Sequence, residues 1–169
     1  MVDTTNISSV PKDSFGEVNK ILSILENVVD PEVPVLTVLD LGIIRKIEFL
    51  NYKPIITVTT TYSGCPATDV INTNIRLALS ENGFPNAEIK HQLSPAWTTD
   101  WMSEEGKRKL KEYGIAAPDK KMVTIKDGVE CPRCNSKNTK LISEFGSTAC
   151  KALYQCNDCH EPFDYFKCH

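Results

Sequence analysis

Cys131-Pro-Arg-Cys134 and Cys156-Asn-Asp-Cys159 decide how this chain is read. The two Cys-x-x-Cys pairs are separated by 21 residues. Each can turn both thiolates toward one ion, and together they close a tetrahedral Cys₄ shell. The stretches 140–145 and 151–154 between them supply short strands, so the spacing predicts a zinc-ribbon-like β module over residues 129–169. About forty residues bury little apolar surface, so the bound ion would supply most of the folding energy. The spacer is a residue or so longer than the usual ribbon range.

Six of the seven cysteines lie between Cys131 and Cys168, and only Cys65 stands apart. The N-terminus lacks the charged-then-apolar layout of a signal peptide, and no apolar run reaches the roughly 18 residues of a membrane span. The expected location is the cytoplasm, where disulfides are disfavoured and clustered cysteines bind metal. A pair of redox motifs is the competing reading, but such a motif sits in a βαβ context that this tail lacks. Zinc is the default ion, and Cys₄ ligation also suits an iron–sulfur cluster. Cys150, Cys168, His160 and His169 are spare, either packed or additional ligands. The formal net charge of -3 and the absence of a basic cluster argue against a nucleic-acid partner.

Upstream, residues 1–13 carry no periodicity and read as a flexible arm. A helix is expected from Ser14, with Glu17 completing a capping box. Val18, Ile21, Leu22, Leu25, Val28 and Val29 recur at helical spacing. Pro31 and Pro34 make the stretch 30–34 extended. Residues 42–50 and 55–62 read as two strands of a hairpin around Asn51-Tyr52-Lys53-Pro54. A second helix is expected over 66–81, with Val70, Ile71, Ile75, Ala78 and Leu79 inward, then a strand over 87–93. The order αββαβ implies an α+β domain over 14–113 with helices on one sheet face. Ser103 caps a short charged helix, and residues 114–128 read as a linker between two independently folding units.

Tyr62-Ser-Gly-Cys65-Pro66 is the suggestive stretch of this first unit. With Pro66 as the first helical residue, Cys65 falls at the N-cap, where backbone N–H groups and the helix dipole favour thiolate. Cys65 could then ligate metal or exchange a thiol, or it could simply close a strand-to-helix turn. Asp30 and Glu32 are either metal-binding carboxylates or turn formers. His91 has the parity of the apolar face and is expected to pack. Trp97 and Trp101 either cover Cys65, face a partner, or fill the core.

The stretch Asp30-Pro-Glu-Val-Pro-Val-Leu, then Asp40-Leu-Gly-Ile-Ile, Thr57-Val-Thr and Gly64-Cys-Pro66, resembles the small SufT-like family of iron–sulfur assembly proteins. The resemblance spans roughly residues 14–102, and it implies functional importance for Cys65, with the family's Asp-Pro-Glu on Asp30, Pro31 and Glu32. Adding Trp97-Thr-Thr-Asp-Trp101, Ser143-Glu-Phe-Gly-Ser-Thr-Ala-Cys-Lys-Ala-Leu-Tyr154 and Glu161-Pro-Phe-Asp-Tyr-Phe-Lys-Cys-His169, the whole chain is similar to the D components of multicomponent phenylacetyl-CoA epoxidases. These complexes epoxidise the aromatic ring in phenylacetate degradation. The similarity implies a non-catalytic component that matures the complex, with the iron–sulfur reductase or the di-iron oxygenase subunits as partners. It also places Cys150, Cys168 and His169 in a fixed pattern. One departure is the lack of a proline before Tyr62.

Three functions follow from these readings. An assembly factor would hold iron or a transient iron–sulfur cluster at Cys65, within one chain or across a homodimer. A structural adaptor would use the tryptophans and the ribbon as surfaces. An enzyme would need Cys65 as nucleophile and His91 as base. No phosphate-cradling loop or paired-carboxylate motif supports the enzyme, and it ranks last.

Overall fold

The computed structural model describes residues 14–62, 64–118 and 128–167. The expected arm, Cys168 and His169 lie outside the described residues, as do most of the expected linker and the side chain of Ser14.

Helix α1 (Ser14–Leu25) buries Ile21, Ile24 and Leu25, with Val28 one turn beyond, an i, i+3, i+4, i+7 stripe. The helix stops before Val28 and Val29 because the chain there turns to pair with a later segment. Val38 N–H donates to Val28 O at 2.9 Å, Asp30 N–H donates to Leu36 O at 2.8 Å, and Val29 bridges Thr37. The stretch 30–34 is therefore bent, not extended. Asp30 Oδ1 accepts from the amides of Glu32 (2.8 Å) and Val33 (2.7 Å), closing an Asx turn over Pro31.

Strands β1 (Ile44–Leu50) and β2 (Lys53–Val58) form the hairpin. Its turn tightens to Asn51 and Tyr52, both at positive φ (51° and 63°), the conformation of a two-residue type I′ connection. Lys53 and Pro54 thus begin β2. Helix α2 (Thr68–Glu81) buries Ile71, Ile75 and Leu79 but leaves Val70 exposed. Strand β3 (Glu88–His91) then pairs parallel to β2, giving the order β1-β2-β3. Ile56 at the sheet centre and Ile21, Leu25, Leu36, Ile75 and Leu79 around it are fully shielded from solvent.

Helix α3 (Glu104–Tyr113) starts where its cap predicts: Ser103 Oγ accepts from Gly106 N–H at 2.8 Å. Its anchor is Asp40, 6% exposed, whose carboxylate accepts from Lys109 Nζ at 2.6 Å, Ser103 Oγ at 2.9 Å and Thr37 Oγ1 at 3.0 Å. Burial works against its charge, but Lys109, Thr37 and Ser103 together hold the carboxyl below its ordinary range.

The second sheet runs β4 (Ile115–Ala116), β7 (Pro162–Phe166), β6 (Lys151–Cys156), β5 (Thr139–Ser143). Its first strand comes from the start of the stretch read as linker, and pairs in parallel with β7. The two units share a core. Phe166 and Cys150, from the ribbon, pack into the hydrophobic cluster built by α1, α2 and the first sheet. Trp97 is 3% exposed, donates from Nε1 to Leu41 O at 2.8 Å, and meets the Phe166 ring edge-on at 6.3 Å. Trp97 is therefore a core residue joining the two units. Trp101 carries the Arg45 guanidinium over its ring at 3.6 Å.

Candidate metal centre and cysteine site

Each Cys-x-x-Cys pair sits in the same local fold. Cys131 N–H donates to Ser136 O, and Cys156 N–H donates to Glu161 O, both at 2.9 Å. Each knuckle turns at the residue after its second cysteine, Asn135 (φ 61°) and His160 (φ 62°), two residue types that tolerate the left-handed region. His160 is thus committed to backbone geometry. Three groups tie the knuckles together: Asn157 Nδ2 donates to Asn138 Oδ1 at 3.0 Å, Asn138 Nδ2 donates to Asp158 Oδ1 at 2.7 Å, and Arg133 pairs with Glu161.

The four sulfurs converge. Cys131 and Cys159 Sγ are 3.7 Å apart, Cys134 and Cys156 Sγ are 3.6 Å apart, and all four lie within 4.8 Å of one another. Metal–sulfur bonds of about 2.3 Å in a tetrahedron set sulfurs about 3.8 Å apart. The residues present therefore fit one tetrahedral ion. Backbone N–H groups of Cys159 and Asp158 pull the Cys156 thiol below its ordinary range, while burial and the neighbouring sulfurs push Cys134 and Cys159 up. Four thiolates at this spacing repel one another unless a cation stands between them.

Cys65 lies elsewhere, and differently from expectation. Helix α2 starts at Thr68 with Ala67 as its N-cap; Cys65 and Pro66 form the turn before it, where Cys65 O accepts from Thr68 N–H at 3.2 Å. The thiol is raised, not lowered. Burial is the largest cause, and the charges of Glu32 and Asp30 add to it, outweighing hydrogen bonds from Ala67 N–H and the Thr68 side chain. Cys65 thus rests as a thiol until a positive partner offsets those carboxylates.

The same turn gathers further groups. Asp30 and Cys65 line a small cavity of about 20 Å³ together with Thr68 and Asn72. Asn72 Oδ1 is buried and has no hydrogen-bond partner, while its Nδ2 contacts His91 Nε2 at 3.2 Å. His91 is exposed, not packed as its parity suggested, and of the residues sharing that parity only Ile89 is buried. Glu32 points the other way, toward the ribbon: Cys150 Sγ donates to Glu32 Oε2 at 3.6 Å across 118 residues of sequence. Burial, with the neighbouring Glu32 charge, pushes the Cys150 thiol up to about 11. Tyr62 is raised by burial and by the charges of Cys65, Glu32 and Cys150, which it adjoins. The structure therefore draws Cys65, Asp30, Glu32 and Cys150 into one region, and keeps them apart from the Cys131, Cys134, Cys156, Cys159 centre. Sequence reasoning passed over Asn72, a polar residue beside the buried stripe of α2, and Thr148, whose Oγ1 is 3.1 Å from Cys150 Sγ.

Comparison with known proteins follows the same division. Residues 19–86 match the family described as iron-sulfur cluster assembly protein, and residues 116–167 match the PaaD zinc beta ribbon domain. A protein of Escherichia coli (strain K12), provisionally named as the D component of 1,2-phenylacetyl-CoA epoxidase, is 50% identical over 154 residues, which is 90% of this chain and 93% of that protein. A protein of Porphyromonas gingivalis named Fe-S protein maturation auxiliary factor is 36% identical over 92 residues, 53% of this chain and 87% of its own. Among solved structures, a domain of unknown function from Bacillus anthracis superposes with a TM-score of 0.50 at 30% identity, covering 54% of this chain and 89% of that one. No helix among the described residues is long and apolar enough to cross a membrane.

Proposed function

The chain belongs to the family of the 1,2-phenylacetyl-CoA epoxidase D component, and from that membership we propose a non-catalytic accessory protein that helps assemble an iron–sulfur cluster or di-iron centre of the epoxidase complex. The observation that carries this reading is the Cys65 turn. A half-buried thiol stands beside the carboxylates of Asp30 and Glu32, in a unit that matches iron–sulfur assembly proteins. A transfer site needs ligands that are accessible and incompletely saturated. One thiol with two carboxylates meets that need, whereas the ribbon's closed set of four sulfurs does not.

The ribbon is, in this proposal, a structural site holding zinc through Cys131, Cys134, Cys156 and Cys159. A closed tetrahedral ion of fixed valence would lock the β5–β7 sheet and present it to the first unit. The partners would be the iron–sulfur reductase or the di-iron oxygenase subunits, in the cytoplasm. Cys168 and His169 remain candidate additional ligands.

The test is client maturation in cells. The epoxidase subunits are co-expressed with wild type or with Cys65→Ser, and iron and acid-labile sulfide are counted in the purified reductase and oxygenase. Loss of metal in one client, with Cys65→Ser folded and zinc-loaded, supports the proposal and names the client. Wild-type metal content in both clients overturns it. Stable co-purification independent of Cys65 would then favour an adaptor, a reading supported by the exposed Leu93 (67%) and Phe145 (61%) at the cleft between the units.

A further inference from the structure

We infer that the cargo site is shared between the two units: Cys65 and Glu32 of the first unit and Cys150 of the ribbon are the donors for one divalent first-row transition ion, held only while the ribbon is docked. This rests on the reading of Cys65 given above and adds the ribbon's share to it.

Three observations carry the assignment. Cys150 is 6% exposed and belongs to the first unit's hydrophobic cluster, so its thiol is delivered across the interface, away from the ribbon's own metal centre. Its Sγ is already 3.6 Å from Glu32 Oε2, and Glu32 and Cys65 are close enough for the carboxylate charge to act on the thiol. On the far side of Cys65, the small cavity shared with Asp30 contains the buried oxygen of Asn72, which no described group satisfies. A buried carbonyl oxygen without a donor is a place where a cation or its water can sit.

The region is thus short of positive charge. The Glu32 charge acts on both thiols, Asp30 acts on Cys65 from its other side, and the cation acting on Cys150 is Lys151. A bound divalent ion would displace the two thiol protons to solvent and offset the Glu32 charge that now disfavours both thiolates. Two soft sulfurs with a hard carboxylate suit iron(II), cobalt(II) or zinc(II) better than magnesium or calcium.

The site is open at rest. Among the described residues, only the ribbon quartet has three or more such donors all within 4.8 Å. Cys65, Glu32 and Cys150 would close on an ion by side-chain rotation.

The experiment is an anaerobic Co²⁺ titration of the full chain with its ribbon already zinc-loaded. Thiolate-to-cobalt charge-transfer absorbance is read per ion, with zinc counted by elemental analysis before and after. The expected result is one Co²⁺ per chain beyond the zinc, with the absorbance cut to about half in Cys65→Ser and in Cys150→Ser. Affinity should fall at least about tenfold in each of these and in Glu32→Gln, since even outer partners of a metal site are worth about 10–100-fold. X-ray absorption at the cobalt edge of the wild-type complex, which needs no substitution, should count two sulfurs. One sulfur, or a Cys150→Ser variant that binds like wild type while Cys65→Ser does not, overturns the shared site and leaves the Cys65 reading standing. Wild-type binding by Cys65→Ser overturns both.

Discussion

Replacing Phe166 with alanine should destabilise the unit it does not belong to. Phe166 lies on β7 of the ribbon, yet it is 3% exposed, packs in the first unit's cluster, and meets Trp97 edge-on at 6.3 Å. Truncating a buried phenylalanine costs about 3–5 kcal/mol. About 0.5–1.5 kcal/mol of that should be specific to the aromatic pair. The two tryptophans, Trp97 and Trp101, both lie before the ribbon, so the midpoint of the tryptophan fluorescence transition follows unfolding of the first unit, although Trp97 also senses its contact with Phe166. Zinc release to a chelating dye reports the ribbon. With a urea slope of about 2 kcal/mol/M, a loss of about 3 kcal/mol moves the midpoint by about 1.5 M. If the shared core makes one cooperative unit, Phe166→Ala shifts the fluorescence and zinc-release midpoints together by about that amount. A fluorescence transition that stays in place while zinc release moves would refute the reasoning, and would return the ribbon to the independent module that its spacing suggested. A double-mutant cycle with Trp97→Leu, which removes the ring from the other side of the contact, should return the pair energy as its coupling.

Asp40→Asn should cost about 2–3 kcal/mol by urea denaturation, less than a fully buried pair, because Lys109 keeps 30% of its side-chain exposure. Asp40 is held below its ordinary range in the folded chain. Its contribution is therefore present above the unfolded carboxyl value near ~4 and disappears as pH falls through the lower folded value, so the wild-type advantage over Asp40→Asn should shrink in acid. Cys156→Ser should abolish metal binding by the ribbon and remove hydrogen-exchange protection at Tyr154 and Phe163, since a structural ion would supply on the order of 10 kcal/mol to so small a sheet. Retained protection without metal would mean that the shared core, not the ion, holds β6 and β7.

The elements that announced themselves in sequence are those held by local chemistry. The Ser103 cap, the Asn51-Tyr52 turn, the apolar face of α2 and the paired knuckles each answer to residues within a few positions of one another. What sequence could not reveal depends on partners far along the chain. Helix α1 ends early because Val28 and Asp30 bond to Val38 and Leu36. A two-residue strand such as β4 carries no periodicity, and β7 opens with a proline and buries Phe163 and Phe166 three apart instead of alternating. Cys65 shows the same limit in electrostatic form. Its place before α2 was legible, but the sign of its shift was not, because burial and the carboxylates of Asp30 and Glu32 arrive through the fold and outweigh the nearby amide.

That sign bears on mechanism. A cysteine with a lowered pKa would be a standing thiolate, open to oxidants and to any passing metal. Cys65 and Cys150 are both raised, and both for the same reason: burial beside Glu32. Protonated thiols among carboxylates resist oxidation, and they become ligands only when a cation reverses the local charge. The ribbon differs in geometry, with four sulfurs already gathered within 4.8 Å of one another. On the proposed assignment, one centre would keep its ion and the other would bind only when an ion is supplied. The Glu32–Cys150 contact would join them, so ordering of the ribbon by its own ion would position a donor for the second. A ribbon emptied of metal should therefore lose Co²⁺ binding at Cys65 as well, although none of its four ligands reaches that site.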